Sequence, residues 1–409
     1  MEYRVFTLLN GIRLLHLPAA SSISHACIIV NAGSRDEAET KDGLAHFIEH
    51  LLFKRTERRS TNQILNRLEM VGGDLNAYTT KEYTCIHASF LNPHLERALD
   101  LFEDIVFHSV FPEDEMEKEK SVILDEIASY LDQPDEAIND DFEEIIFTAH
   151  PLGRNILGTE SSVKNLNRND VLDFTKRNYN TSEIIIGVLG NYDFKKLTHL
   201  GEKLFGDIQA NETCRKRMLP SGYSAKNIRQ VKTISQTHCV LGVPAYSIHH
   251  PYKTGLLLLN NILGGTGMSS RLNLEVREKH GIAYNIESNY SPLNDTGIFS
   301  IYFGTDTEKT GKALKLIYKE LAKLRCKQLG ELQLHQAKQK FNGQIALGEE
   351  NRIGLIISVT KSLLDYGKVD SLEEVFQKVN SVTAKQMLDI ANEIFDPAGL
   401  SSLTFEPEA

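Results

Sequence analysis

Residues 44–53, LAHFIEHLLF, form an apolar run broken by two histidines and a glutamate. At about 100° per residue, His50 falls roughly 40° from His46 around a helix and Glu49 about 60° to the other side, so all three share one face. Leu44, Ala45, Phe47, Ile48, Leu51 and Leu52 surround them, which sets that face within a core instead of on a solvated stripe. Burying three polar groups without partners is costly. Any fold that accommodates this helix must therefore bring a partner to its polar face, from elsewhere in the chain or from a bound ion.

Two histidines four residues apart can hold one metal ion, and they also occur as ordinary structural residues. With Glu49 between them the pattern becomes H-x-x-E-H, the inverted order of the zinc motif H-E-x-x-H, and the glutamate is well placed beside a metal-bound water. A catalytic zinc with two histidine ligands needs a third protein ligand and keeps its fourth position for water. That third ligand is expected to be a carboxylate on another rigid element. In EMEKEKSVILDEIASY, residues 115–130, Glu119 and Glu126 are seven apart and lie within about 20° of each other around a helix, whereas Asp125 faces another side. Most acidic runs are solvated faces. Glu126, however, sits among Val122, Ile123, Leu124 and Ile127, a poor setting for an unpaired charge, and so calls for a nearby cation.

The five cysteines, Cys27, Cys85, Cys214, Cys239 and Cys326, are scattered with no C-x-x-C pair. This dismisses a cysteine-rich metal site and fits free thiols in a reducing compartment. The opening MEYRVFTLLNGIRLLHLPAA lacks a basic leader and breaks its apolar run at a turn, so no signal peptide is read there. With no apolar stretch of about 18 residues or more, no membrane span is expected, and the location is expected to be cytoplasmic. A net charge of -10 argues against a general nucleic-acid binder, which needs basic stripes to neutralise phosphate.

A chain of 409 residues, 41% hydrophobic and 24% charged, has the composition of a globular protein and the length of two domains. VFTLLNGIRLLHL reads as a hairpin around Asn10-Gly11, HACIIVNAGS as a strand, and STNQILNRLEMVGG as a helix with a Ser/Thr start and a Gly-Gly stop. DLNAYTT and YTCIHASF read as a strand pair, two long helices follow over residues 92–131, and EIIIGVLGNYD returns to strand. Hairpin-linked strands mixed with long helices predict an α+β fold. Residues 211–227 lack any apolar period and read as a linker between an N-terminal domain, 1–210, and a C-terminal domain, 228–409. The helix, glycine and strand-pair order of ILNRLEMVGG and LNAYTTKEYTCIHASF returns in LNLEVREKHG and IAYNIESNYSPLNDTGIFSIYF, a weak internal repeat that predicts two copies of one fold.

The residues HFIEH at 46–50 and EKEKSVILDE at 117–126 resemble the pitrilysin, insulin-degrading and mitochondrial processing peptidase family of inverted-motif zinc metallopeptidases. The resemblance extends through GGDLNAYTTKEYT at 72–84, HPLGRNILGT at 150–159 and MSSRLNLEVREKHGIAY at 268–284, essentially the whole chain. It implies two homologous domains, each a mainly antiparallel sheet packed with helices. It also implies one zinc per chain on His46, His50 and Glu126, with Glu49 as general base. Glu119 matches a further family glutamate and would orient a ligand histidine, although a salt bridge is the plainer alternative. LNAYT resembles the family's active-site edge strand, making Asn76 and Ala77 candidate substrate contacts; a plain core strand would look much the same. Arg277 and Tyr284 match the family's substrate-binding pair, whose guanidinium and phenol can donate to the substrate carbonyl and its oxyanion. The implied activity is endoproteolysis of unfolded peptides or small proteins inside an enclosed chamber. Because both half-signatures occur in this chain, a homodimer could supply a complete site. The alternative is a non-catalytic structural or peptide-binding subunit of the same family, in which the motif is typically degraded; here it is intact.

Overall fold

The computed structural model describes residues 2–213 and 215–408, so Cys214 lies outside the described residues. Strands β1 (Arg4–Thr7) and β2 (Arg13–Pro18) pair antiparallel around the Asn10-Gly11 turn, where Gly11 takes a φ of 94°. With β3 (Ile23–Val30), β4 (Asp74–Thr79), β5 (Thr84–Leu91) and β6 (Ile184–Gly190) they form a sheet of order β1-β2-β6-β3-β5-β4. Every residue of β6, IIIGVLG, is buried, as befits a central strand covered on both faces. The strands β7 (Asn227–Lys232), β8 (Thr237–Ala245), β9 (Ala283–Pro292), β10 (Gly297–Thr305) and β11 (Ser401–Pro407) form a second sheet of order β7-β11-β8-β10-β9.

The two sheets share one topology. In the first, β4–β5, β5–β3 and β3–β6 are antiparallel and β6–β2 is parallel. In the second, β9–β10, β10–β8 and β8–β11 are antiparallel and β11–β7 is parallel. The repeat seen weakly in sequence is thus a repeat of strand order, and the fold is α+β with two mainly antiparallel sheets.

Helices α1 (Leu44–Leu52), α2 (Thr61–Glu69), α3 (Leu95–Phe107) and α4 (Glu113–Leu131) belong largely to the first sheet's unit, and α5 (Pro134–Ile146) to the second's. The first unit comprises residues up to 128, 154–218 and 347–371; the second comprises 129–153, 219–346 and 372 onward. The exchanged segments follow from two-sided sheets. Along β3, Ala26, Ile28 and Val30 face the core under α1 and α3, whereas Cys27 and Ile29 face the opposite side. That opposite side is covered by Ile356, Val359 and Leu363 of the helix Arg352–Tyr366. In the second unit, Ala137, Ile138, Phe142 and Ile146 of α5 likewise pack on Val240, Leu403 and Phe405. Among the described residues, no helix is long and apolar enough to cross a membrane.

The helix Arg352–Tyr366 approaches β6 closely enough that a Cβ on Gly187 would overlap the Thr360 hydroxyl and press on Cys27 Sγ. Gly187→Val should therefore lower unfolding stability by about 1–3 kcal/mol, read as a lower urea midpoint. Thr360→Ala in the same chain should recover part of that loss.

Candidate metal centre

The entry into α1 is built by two features. Gly43 precedes the helix with a φ of 90°, a conformation that disfavours a side chain. The Glu37 carboxylate then accepts hydrogen bonds from the amides of Gly43 (3.1 Å) and Ala45 (2.8 Å), so an acid meets the positive end of the helix. Burial pushes the Glu37 carboxyl well above the ordinary glutamate range despite those amides. Leu44, Phe47, Ile48, Leu51 and Leu52 fill the core beneath, which carries His46 into burial with them and leaves Glu49 and His50 partly covered.

α4 supplies the facing carboxylates. Glu126 Oε2 lies 3.8 Å from His46 Nε2 and 3.6 Å from His50 Nε2. Ligand atoms of these three residues all fall within 4.8 Å of one another. Two ligands about 2.1 Å from a tetrahedral zinc are about 3.4 Å apart, so these separations fit a shared ion and are too long for good hydrogen bonds. The donor set agrees, since two imidazoles and one carboxylate are zinc ligands. Desolvation, helped by His50, lowers the His46 pKa to about 4, so its imidazole is neutral near pH 7, the form that binds metal. Its Nδ1 is buried and, among the described residues, has no hydrogen-bond partner.

Glu119 lies against His50 on the side away from Glu126. Its Oε2 contacts His50 Nδ1 at 3.1 Å and its other oxygen pairs with Lys54, which leaves His50 Nε2 turned toward Glu126. The Glu119 side chain is 7% exposed, and that of Glu126, which its apolar sequence neighbours suggest is buried, is 44% exposed. The flank of Glu126 is less covered than its composition suggests because Val122 is itself exposed.

Glu49 does not join the three ligand candidates. It accepts a hydrogen bond from Thr79 Oγ1 at 2.6 Å, and burial raises its pKa while that bond opposes the rise. Thr79 ends β4, an outer strand of the first sheet, which among the described residues pairs only with β5. Asn76 and Ala77 lie on this strand; Asn76 is exposed and its side chain accepts from the Ala77 amide at 2.8 Å. Thr79, Lys54 and Glu37 were not singled out by spacing.

Arg277 and Tyr284 belong to the second unit. Arg277 lies in a π-helical segment, Asn273–Glu278, donates to Asn273 Oδ1 at 3.4 Å, and lines a cavity of about 590 Å³ with Asn260, Asn261, Ser288 and Phe341. Tyr284 is 59% exposed near the start of the edge strand β9, and its hydroxyl donates to Asp306 at 3.3 Å.

Comparison with known proteins identifies the family. Residues 16–160 match the model of insulinase (peptidase family M16), and residues 165–341 match that of the peptidase M16 inactive domain. The chain is 32% identical over 392 residues to the uncharacterized zinc protease YmxG of Bacillus subtilis, covering 95% of each protein. The chain belongs to peptidase family M16. An uncharacterized zinc protease of Rickettsia felis is likewise 32% identical over 410 residues, 98% of this chain and 97% of that one. The M16 fold is shared with a crystal structure of a protease from Helicobacter pylori, at a TM-score of 0.91, 22% identity and 99% coverage of both chains. It is shared also with a putative M16-like peptidase from Alicyclobacillus acidocaldarius, at a TM-score of 0.89, 19% identity, and coverage of 100% of this chain and 98% of that one. Within the M16 chain, the H-x-x-E-H residues and Glu126 all fall in the stretch matched to insulinase, and Arg277 and Tyr284 in the stretch matched to the inactive domain.

A zinc ion held by this cluster predicts a graded response to substitution. His46→Ala and Glu126→Ala should abolish tight binding, whereas Glu119→Gln, which leaves the three nearest groups in place, should weaken it by about 10–100-fold. Competition with a chromophoric chelator reads both.

Proposed function

We propose that this chain is a zinc-dependent metalloendopeptidase acting on unfolded peptides or small proteins. The observation that carries the reading is the cluster of His46, His50 and Glu126 with Glu49 on the same helix face, hydrogen-bonded to the free edge strand β4. His46, His50 and Glu126 would hold the zinc, and Glu119 would fix the His50 ring through Nδ1. When bound, zinc supplies a Lewis acid that makes water nucleophilic near neutral pH and polarises a carbonyl.

Glu49 accepts the proton of the attacking water and returns it to the leaving amine. Its burial suits this role, because a carboxylate with a raised pKa is a stronger base while remaining ionised above that pKa. The outer edge of β4 offers main-chain groups to which an extended peptide can add as a further strand, with Asn76 and Ala77 at the contact. Arg277 and Tyr284 are assigned to hold the substrate carbonyl as its negative charge develops. A homodimer is the proposed assembly, one copy's Arg277 and Tyr284 serving the other's metal centre. The free thiols Cys27, Cys85, Cys239 and Cys326 support a reducing, cytoplasmic setting.

Hydrolysis of quenched fluorescent peptides tests the reading. Glu49→Gln should lower kcat by about 10²–10⁴-fold with the zinc content unchanged. Protonated Glu49 cannot accept a proton, so activity should fall on the acid side through a pKa above the ordinary 4.5. Thr79→Val removes a hydrogen bond that favours the ionised form, and should move that acid limb to still higher pH.

A further inference from the structure

Arg215 and Arg217 fall in the stretch that reads from sequence as a linker, yet in the first unit they are partly buried and paired. The Arg217 guanidinium grips Asp36 with two bonds, Nε to Oδ1 at 2.9 Å and a terminal nitrogen to Oδ2 at 2.7 Å. The same terminal nitrogen donates to the Glu82 carbonyl at 2.7 Å, and the other lies 3.8 Å from the Glu82 carboxylate. Arg215 lies 3.4 Å from Asp36 and 2.9 Å from Glu183, and Arg35 pairs with Glu82. Three guanidiniums thus meet three carboxylates, and the Asp36 side chain is 1% exposed.

The two residues that Arg217 joins flank the candidate centre on separate segments. Asp36 immediately precedes Glu37, the cap of α1, and Glu82 lies in the β4–β5 turn three residues after Thr79, the partner of Glu49. The segments touch through main-chain bonds from Ser34 to Thr80 (3.1 Å) and from Arg35 to Lys81 (2.9 Å). They approach so closely that a Cβ on Gly33 would overlap the Thr80 carbonyl.

Resting on the proposed peptidase reading, we propose that Arg217, braced by Arg215, is a positioning residue: by clamping Asp36 to Glu82 it keeps the β4–β5 turn against the approach to α1, and so holds Thr79 on Glu49. Arg217 touches no reacting group. Its effect reaches the base only through Thr79, which makes the two residues energetically coupled, whereas two unconnected residues would act independently.

The test uses the full-length, zinc-loaded protein with a quenched fluorescent peptide, and four forms: wild type, Arg217→Met, Thr79→Val and the double variant. Arg217→Met should lower kcat by about tenfold with KM changed by less than about twofold, and Arg217→Lys should recover part of the loss. In the Thr79→Val background the further loss from Arg217→Met should shrink to less than about twofold. Full-size loss in that background, an unchanged kcat, or an effect confined to KM would overturn the proposal. Amide hydrogen exchange on the metal-free protein provides a readout independent of activity: Arg217→Met should speed exchange in residues 79–83 and leave β3 and β6 protected. Unchanged exchange in that turn would overturn the clamp even in an active enzyme. If all forms are inactive while exchange rises as expected, the peptidase reading fails and the clamp on the turn stands.

Discussion

The polar face of an otherwise apolar helix is the constraint from which the rest of the first unit follows. Burial of Phe47, Ile48, Leu51 and Leu52 contributes about 1.5–3 kcal/mol each, which is enough to draw α1 into the core with His46, Glu49 and His50 attached. Each polar group then needs an answer, and each has a different one. His50 is met by Glu119, which Lys54 neutralises from the other side. Glu49 is met by the Thr79 hydroxyl. Among the described residues, His46 has no hydrogen-bond partner at Nδ1, and its Nε2 faces Glu126 across a gap of metal-ligand size that His50 also borders. α4 brings two carboxylates, Glu119 and Glu126, to this polar face, and the gap left among His46, His50 and Glu126 is of a size that fits a metal ion.

The sheet sets what lies beside the candidate base. α1 packs over the β4 end of the first sheet, and β4 is an outer strand with a free edge. Free edges invite pairing with another chain, which proteins usually prevent by covering or charging them. Here the edge next to the candidate base is short, six residues, with Asn76 and Asp74 as its exposed positions. The equivalent edge of the second sheet, β9, alternates buried Ile286, Ser288 and Tyr290 with exposed Glu287 and Asn289. The repeat therefore presents two outer strands of like position, each within its own sheet, and in the first unit that strand lies beside the candidate base.

Much of this was legible because it is periodic. The three polar residues of α1 share a face by helical spacing, Glu119 and Glu126 do so by a seven-residue interval, and the hairpin, the strand pair and the buried β6 follow from alternation or from a continuous apolar run. What was not legible depends on partners brought by the fold. Thr79 is one hydroxyl among several in NAYTT, and nothing local marks it as the partner of Glu49. Residues 211–217 have no apolar period because Asn211, Thr213, Arg215 and Arg217 are held by main-chain groups near Tyr179, by Asn180 and by carboxylates distant in sequence. The destination of the helix Arg352–Tyr366, the other face of the first sheet, is set by the second apolar side of β3 and β6. The relative burial of Glu119 and Glu126 likewise depends on where α4 leaves the core, which neighbouring residue types alone do not specify.

The most direct measurement is anomalous diffraction at the zinc edge from crystals of the zinc-loaded protein. The account predicts one strong peak per chain, within about 2.2 Å of His46 Nε2, His50 Nε2 and a Glu126 oxygen, with Glu49 beside it and not bonded to it. A peak at other residues, a site closed by a fourth protein ligand, or no peak in protein loaded to full occupancy would contradict it.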